Sequence, residues 1–126
     1  MSYNVTFIEN VDYLRVEISG ARKQGKEVDD AIKVWSRVAE IGKAKNITHI
    51  LAIIEITGFM PKMASFDIGN LADKFGWSRS FKLAVVTSDE ESRKANLYTE
   101  TVAVNRGFDV RIFDNEQDAK IWLLDS

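Results

Sequence analysis

The sequence predicts an α/β domain: a five-stranded mixed sheet that opens with an antiparallel hairpin, continues as parallel strand–helix units, and carries about four helices. Three observations carry this expectation. Within the stretch Ile47 to Gly58, the run Ile50-Leu51-Ala52-Ile53-Ile54 is apolar at consecutive positions, as in a central strand buried on both faces. Before it, Tyr3 to Glu9 and Val11 to Ser19 alternate in polarity and are joined by the short junction Glu9-Asn10-Val11-Asp12, which favours a hairpin. After it, helically spaced apolar residues alternate with short apolar runs, and short loops then imply right-handed parallel crossovers.

In the second strand of the hairpin, Leu14, Val16 and Ile18 share one face and Tyr13, Arg15 and Glu17 the other, so the pair is half-buried near a sheet edge. Gly20 to Lys26 (GARKQGK) is a basic, glycine-bracketed loop without phosphate-loop spacing, most simply a solvated turn, with an anion site as the alternative. Asp29 or Asp30 is suited to cap the first helix, which Ala31, Val34, Trp35, Val38 and Ile41 mark as one apolar stripe. Asn46 suits a left-handed stop ahead of the central strand. Ala64, Ile68, Leu71, Ala72 and Phe75 mark a second helix ending near Gly76, and Phe81 to Thr87 a second buried strand. Ser88-Asp89-Glu90-Glu91 has the form of a capping box and starts a third helix, with Ala95, Tyr98 and Val102 inward and Gly107 as the stop. Phe108, Val110 and Ile112 alternate as an edge strand, and Asp114 or Asn115 caps a last helix burying Ala119, Trp122 and Leu123. The expected strand order is sequential, with the helices mainly on one side. The opposite face is then either an apolar centre with a polar rim, suited to a partner, or is covered by a helix that crosses over.

Composition narrows the function classes. A chain of 126 residues, 45% hydrophobic and 29% charged, suits a single domain spanning residues 1–126. With no cysteine, disulfides, zinc knuckles and thiol catalysis are excluded. No signal peptide or long apolar run is visible, so the expectation is a cytoplasmic protein without a membrane span. A net charge of −2 offers no basic field for nucleic acid.

The candidate chemistry gathers at the carboxyl end of the central strand, where open α/β sheets place ligands. Glu55 is either a site carboxylate or half of an ion pair with Lys62 or Arg79. Thr57 and Ser65 flank the loop into the second helix, where a hydroxyl acts as a cap or accepts a phosphate. Phe59, Met60 and Met63 surround the chain's only proline, Pro61. Either they fold back over the second helix, or they form an adaptable apolar contact together with Trp77. His49, the only histidine, stands at the opposite end of the strand and is expected to be structural. No metal site, cofactor motif or nucleophile–base pair is expected.

Several stretches match a known pattern: Arg15-Val16-Glu17-Ile18-Ser19-Gly20, Ile50 to Thr57, Lys82-Leu83-Ala84-Val85-Val86, Val110-Arg111-Ile112-Phe113, and Ala119-Lys120-Ile121-Trp122-Leu123. On these the chain resembles the SpoIIAA-like branch of the STAS domains, related in arrangement to the CRAL-TRIO lipid-binding domains. The resemblance implies a regulatory interaction domain whose anti-sigma-antagonist members carry a phosphorylated serine after the central strand. Ser65 falls roughly at that serine, but the aspartate, second serine and glycine of the D-S-S-G motif are absent here. The leading expectation is a non-catalytic domain that binds a protein partner or forms a homodimer. The alternative is a module for a lipid or small apolar ligand built on Phe59, Met60, Met63 and Trp77. Third comes an enzyme using Glu55.

Overall fold

A computed structural model describes residues 3–125. Nine elements follow in order: β1 (Tyr3–Glu9), β2 (Leu14–Ala21), α1 (Glu27–Lys45), β3 (His49–Thr57), α2 (Lys62–Asn70), β4 (Lys82–Val86), α3 (Glu90–Asn105), β5 (Asp109–Phe113) and α4 (Glu116–Leu124). The five strands form one sheet in sequential order, with β1 antiparallel to β2 and every later pair parallel. Val16 faces Ala52, Ala52 faces Val85, and Val85 faces Ile112, so small and β-branched residues form a row across the sheet.

Strand β3 has apolar residues on both sides because both sides are covered. Ile50, Ala52, Ile54 and Ile56 face the main core with Val34 and Val38 of α1 and Ala103 of α3. Leu51 faces a second cluster with Ala84, Val86, Ala119 and Leu123. Helix α4 therefore crosses to the far face, and the open apolar centre that a self-association surface would need does not exist there. The uncovered end of that face carries Asn4, Thr6, Glu17 and Ser19 together with the 40% exposed Ile8, a mostly polar strip. Arg15 bonds both Glu17 at 2.8 Å and Glu116 in the first turn of α4. At the other end, Lys82 Nζ donates to the Trp122 and Asp125 carbonyls at 2.7 and 2.9 Å, meeting the negative end of the helix.

Helix ends follow local chemistry, with some corrections. Asn46 adopts φ 56° and ends α1, as its type suggests. Its start is Lys26 without a side-chain cap, and Asp29 and Asp30 lie inside the first turn, where their charge still meets the dipole. At α3 the cap is Asp89, one residue later than the capping-box pattern implies, accepting from the Ser92 N–H. Asn115 caps α4 through the Asp118 N–H. Helix α2 is shorter than its apolar spacing implies. Beyond Asn70, tight bonds from Lys74 N–H to the Leu71 carbonyl and from Gly76 N–H to the Asp73 carbonyl carry Leu71 to Gly76 as turns.

The inward face of α3 differs most. Tyr98 is 38% exposed, whereas Ser92 and Ala103 are buried, and Asn96 and Thr99 share their side. The reason is what this side faces: a cavity that polar residues help to line.

Candidate functional site

Between the main face of the sheet and helices α1, α2 and α3 lies a half-enclosed cavity of about 90 Å³. Its floor is Ile18, Ile54, Ile56, Leu83 and Val85, the residues that alternation turns to this side. Its walls are Val34 and Trp35 of α1, Ile68 and Ala72 after the loop, and Thr99 and Ala103 of α3. Glycine 69 sets how closely α2 and α3 approach. A Cβ there would sit 2.9 Å from Val102 Cβ and 3.0 Å from the Thr99 carbonyl, so the helices meet backbone to backbone. Thr99 Oγ1 donates to the Ser65 carbonyl at 3.1 Å across that contact.

One end of the cavity is aromatic. The Trp77 ring stands edge-on to Trp35 (5.7 Å between centroids) and to Phe81 (5.0 Å). Trp77 is 7% exposed, yet its Nε1–H has no hydrogen-bond partner. Ser65 is 1% exposed, lines the same cavity, and its Oγ is also unpartnered. A buried donor left unsatisfied costs about 1–3 kcal/mol, so two on one apolar cavity ask for an explanation.

Polar groups also border the cavity elsewhere. Arg22 follows β2 directly, its N–H donating to the Thr57 carbonyl at 2.9 Å. Its Nη1 donates to the Gly58 carbonyl (2.8 Å) and Ser92 Oγ (3.0 Å), while its buried Nε has no partner. Burial holds the guanidinium pKa below its ordinary value, against the pull of Tyr3, Asp89, Glu91 and Glu27. Burial likewise raises the Tyr3 hydroxyl, and it raises the Glu100 carboxyl against a backbone bond at Ile112 and the charge of Arg111.

Of the residues singled out from the sequence, the fold brings Met60, Ser65 and Trp77 to this cavity. Phe59 and Met63 stay outside it, 68% and 70% exposed, so the loop does not fold back as a core. Glu55 and Thr57 point away, because Ile54 and Ile56 take the cavity side of β3. Glu55 is exposed, and among the described residues it forms no ion pair. Arg79 instead binds Asp73 at 2.7 Å, and Lys62 lies 5.9 Å from the Tyr98 ring centre. Thr57 Oγ1 donates weakly to the Gly20 carbonyl at 3.4 Å. Ser65 is no helix cap, and its hydroxyl is buried without a hydrogen-bond partner.

Asn96, Thr99 and Glu100 are not marked by the sequence, and Arg22 is marked only as part of the basic Gly20 to Lys26 loop. The available signal for Arg22 was its place at the carboxyl end of β2. Among the described residues no group of three or more histidine, aspartate or glutamate side chains is placed to hold a metal ion, and no helix is long and apolar enough to cross a membrane.

No protein-family model and no curated protein matches the chain in sequence. Structure is more informative. The chain is similar to the crystal structure of an uncharacterized protein of the DUF3478 family from Shewanella loihica, with a TM-score of 0.54 and 20% identity over 97% of this chain and 94% of that one. That protein is described as having a SpoIIAA-like fold, and the sequential five-stranded sheet with its antiparallel first strand and four helices gives the present chain the same fold.

Proposed function

We propose that the domain is a non-catalytic binding module whose cavity takes a small, slender, mostly apolar molecule. The observation that carries this reading is the pairing of an apolar cavity with the unpartnered donors Ser65 Oγ and Trp77 Nε1. Ligand sites are commonly concave and apolar with a few placed polar groups, and that is the composition of this cavity. Its volume of about 90 Å³ is below the roughly 150 Å³ known to admit benzene, so the enclosed space holds only a few carbons and the rest of a six-carbon chain lies in the open side of the cavity. The loop from Phe59 to Met63 is the adaptable edge through which such a molecule passes, with Met60 already lining the interior.

Tryptophan emission tests this, because Trp35 and Trp77 both line the cavity. Titration with 1-hexanol is expected to give a saturable change that disappears in Ala72→Leu, a variant that fills the cavity and keeps or raises the melting temperature. A response that stays linear to the solubility limit in the unaltered protein would overturn the reading in favour of a water-filled space.

A second reading, a protein partner or a second copy of the chain, is favoured by the exposed Phe59 and Met63 on one loop. Sedimentation across micromolar concentrations tests self-association. A mass that stays monomeric throughout counts against it.

A further inference from the structure

Among the residues that line the cavity, Arg22 is the one cation. Arg22 forms no ion pair with any described carboxylate, although Glu27, Asp89 and Glu91 stand in its neighbourhood. Two of these are already engaged: Glu27 accepts the Gly25 N–H at 3.0 Å, and Asp89 accepts the Ser92 N–H at 2.9 Å. Both side-chain bonds that Arg22 makes use the same nitrogen, Nη1, and they fix the plane of the guanidinium against the Gly58 carbonyl and the Ser92 hydroxyl. That leaves Nε–H without a partner, and no bond is made by Nη2; Nε has no exposed surface, so an acid group reaches this edge only by displacing what covers it. This edge presents two parallel N–H donors, the geometry that a carboxylate accepts with both oxygens.

Resting on the cavity reading, we infer that the ligand is a short-chain monocarboxylate, its acid group paired with the Nε–Nη2 edge of Arg22 and its hydrocarbon chain lying on Ile18, Ile54 and Ile56. A planar monoanion fits better than a phosphate. One fork serves two coplanar oxygens, and the carboxylates of Glu27, Asp89 and Glu91 repel a dianion about twice as strongly as a monoanion. The immobilised guanidinium also loses little freedom when it binds, which favours the acid over a neutral head group of the same length.

The test compares hexanoate with 1-hexanol, and acetate with both, by tryptophan emission and calorimetry at pH 7 on the unaltered chain and on Arg22→Gln. The expected result is hexanoate binding at least about tenfold tighter than hexanol, as charge-assisted bonds allow. Acetate is expected to bind far more weakly. In Arg22→Gln the preference should fall to near parity while hexanol affinity is kept, which shows that the variant is folded and its cavity intact. Equal binding of hexanoate and hexanol to the unaltered chain overturns this inference and leaves the cavity reading standing. Binding of neither overturns both. A hexanoate preference that survives Arg22→Gln, or in a second variant Arg22→Met, overturns the assignment to Arg22. Acetate binding as tightly as hexanoate reduces the site to an anion site and also overturns the inference.

Discussion

Arg22 Nη1 donates to the Ser92 hydroxyl at 3.0 Å, and that hydroxyl donates its own proton to the Ile56 carbonyl at 2.7 Å. One buried serine thus ties together the ends of β2 and β3 and the first turn of α3. Replacing Ser92 by alanine removes the side-chain partner of the buried Ile56 carbonyl and of an Arg22 N–H. The expected loss is about 1–3 kcal/mol of unfolding free energy. Urea denaturation at pH 7 measures it, and a change within about 0.5 kcal/mol would show that another group or a water takes over both bonds.

The opposite sign is expected at Ser65. Its Oγ has no bond to lose, so Ser65→Ala removes an unsatisfied buried hydroxyl and leaves nearly the same shape. The unliganded protein should gain about 1 kcal/mol, seen as a rise in melting temperature of several degrees for a domain of this size. A drop in stability instead would mean that the hydroxyl bonds an ordered water in the cavity. Ser65→Asp is the contrasting case: a carboxylate placed in that apolar wall should unfold the region around α2, so it is a poor imitation of a phosphoserine here.

How much of this was legible beforehand differs between fold and site, for a physical reason. Strand order, the hairpin and the left-handed Asn46 follow from alternation and backbone chemistry, which are local. Whether α4 crosses the sheet is not local. Its apolar residues Ala119 and Leu123 specify burial but not which face of the sheet buries them. The site is harder still, because cavity walls break the periodicity that marks a helix. Ser92, Asn96 and Thr99 line the inward side of α3, so the hydrophobic pattern points to Tyr98 on the wrong side. Arg22 hides for a similar reason. In sequence it belongs to a basic turn, and only the fold separates it from its exposed neighbours Lys23 and Lys26.

The attachment of α4 lets two effects be ranked. Leu123 is fully buried against Leu51 and Ala84, so Leu123→Ala should cost about 2–5 kcal/mol through lost contacts and a residual void. Glu116 is also bound to Arg15, and its carboxyl pKa is lowered chiefly by that bond. It is more than a third exposed, however, and solvent screening should hold the effect of Glu116→Gln below about 1 kcal/mol. Packing, not the ion pair, therefore keeps α4 on the sheet. Parallel melts of the two variants check the ranking, and equal losses would reverse it.

The Glu100 carboxyl gives the cavity a pH dependence of definite sign. Its pKa is raised, with burial the largest cause, partly offset by a backbone bond at Ile112 and the charge of Arg111. A raised carboxyl pKa means that the folded state holds its proton more tightly than the unfolded chain does. The wild-type protein then loses stability as pH rises from the unfolded pKa through the folded one, and this penalty is fully present above the folded pKa. Glu100→Gln keeps an oxygen for the backbone bond and removes the charge. Its melting temperature should exceed that of the wild type at pH 7, and the gap should close as pH falls below the ordinary carboxylate range. A gap that is constant with pH would assign the effect to packing, and a gap of opposite sign would mean that the Glu100 charge stabilises the fold through Arg111.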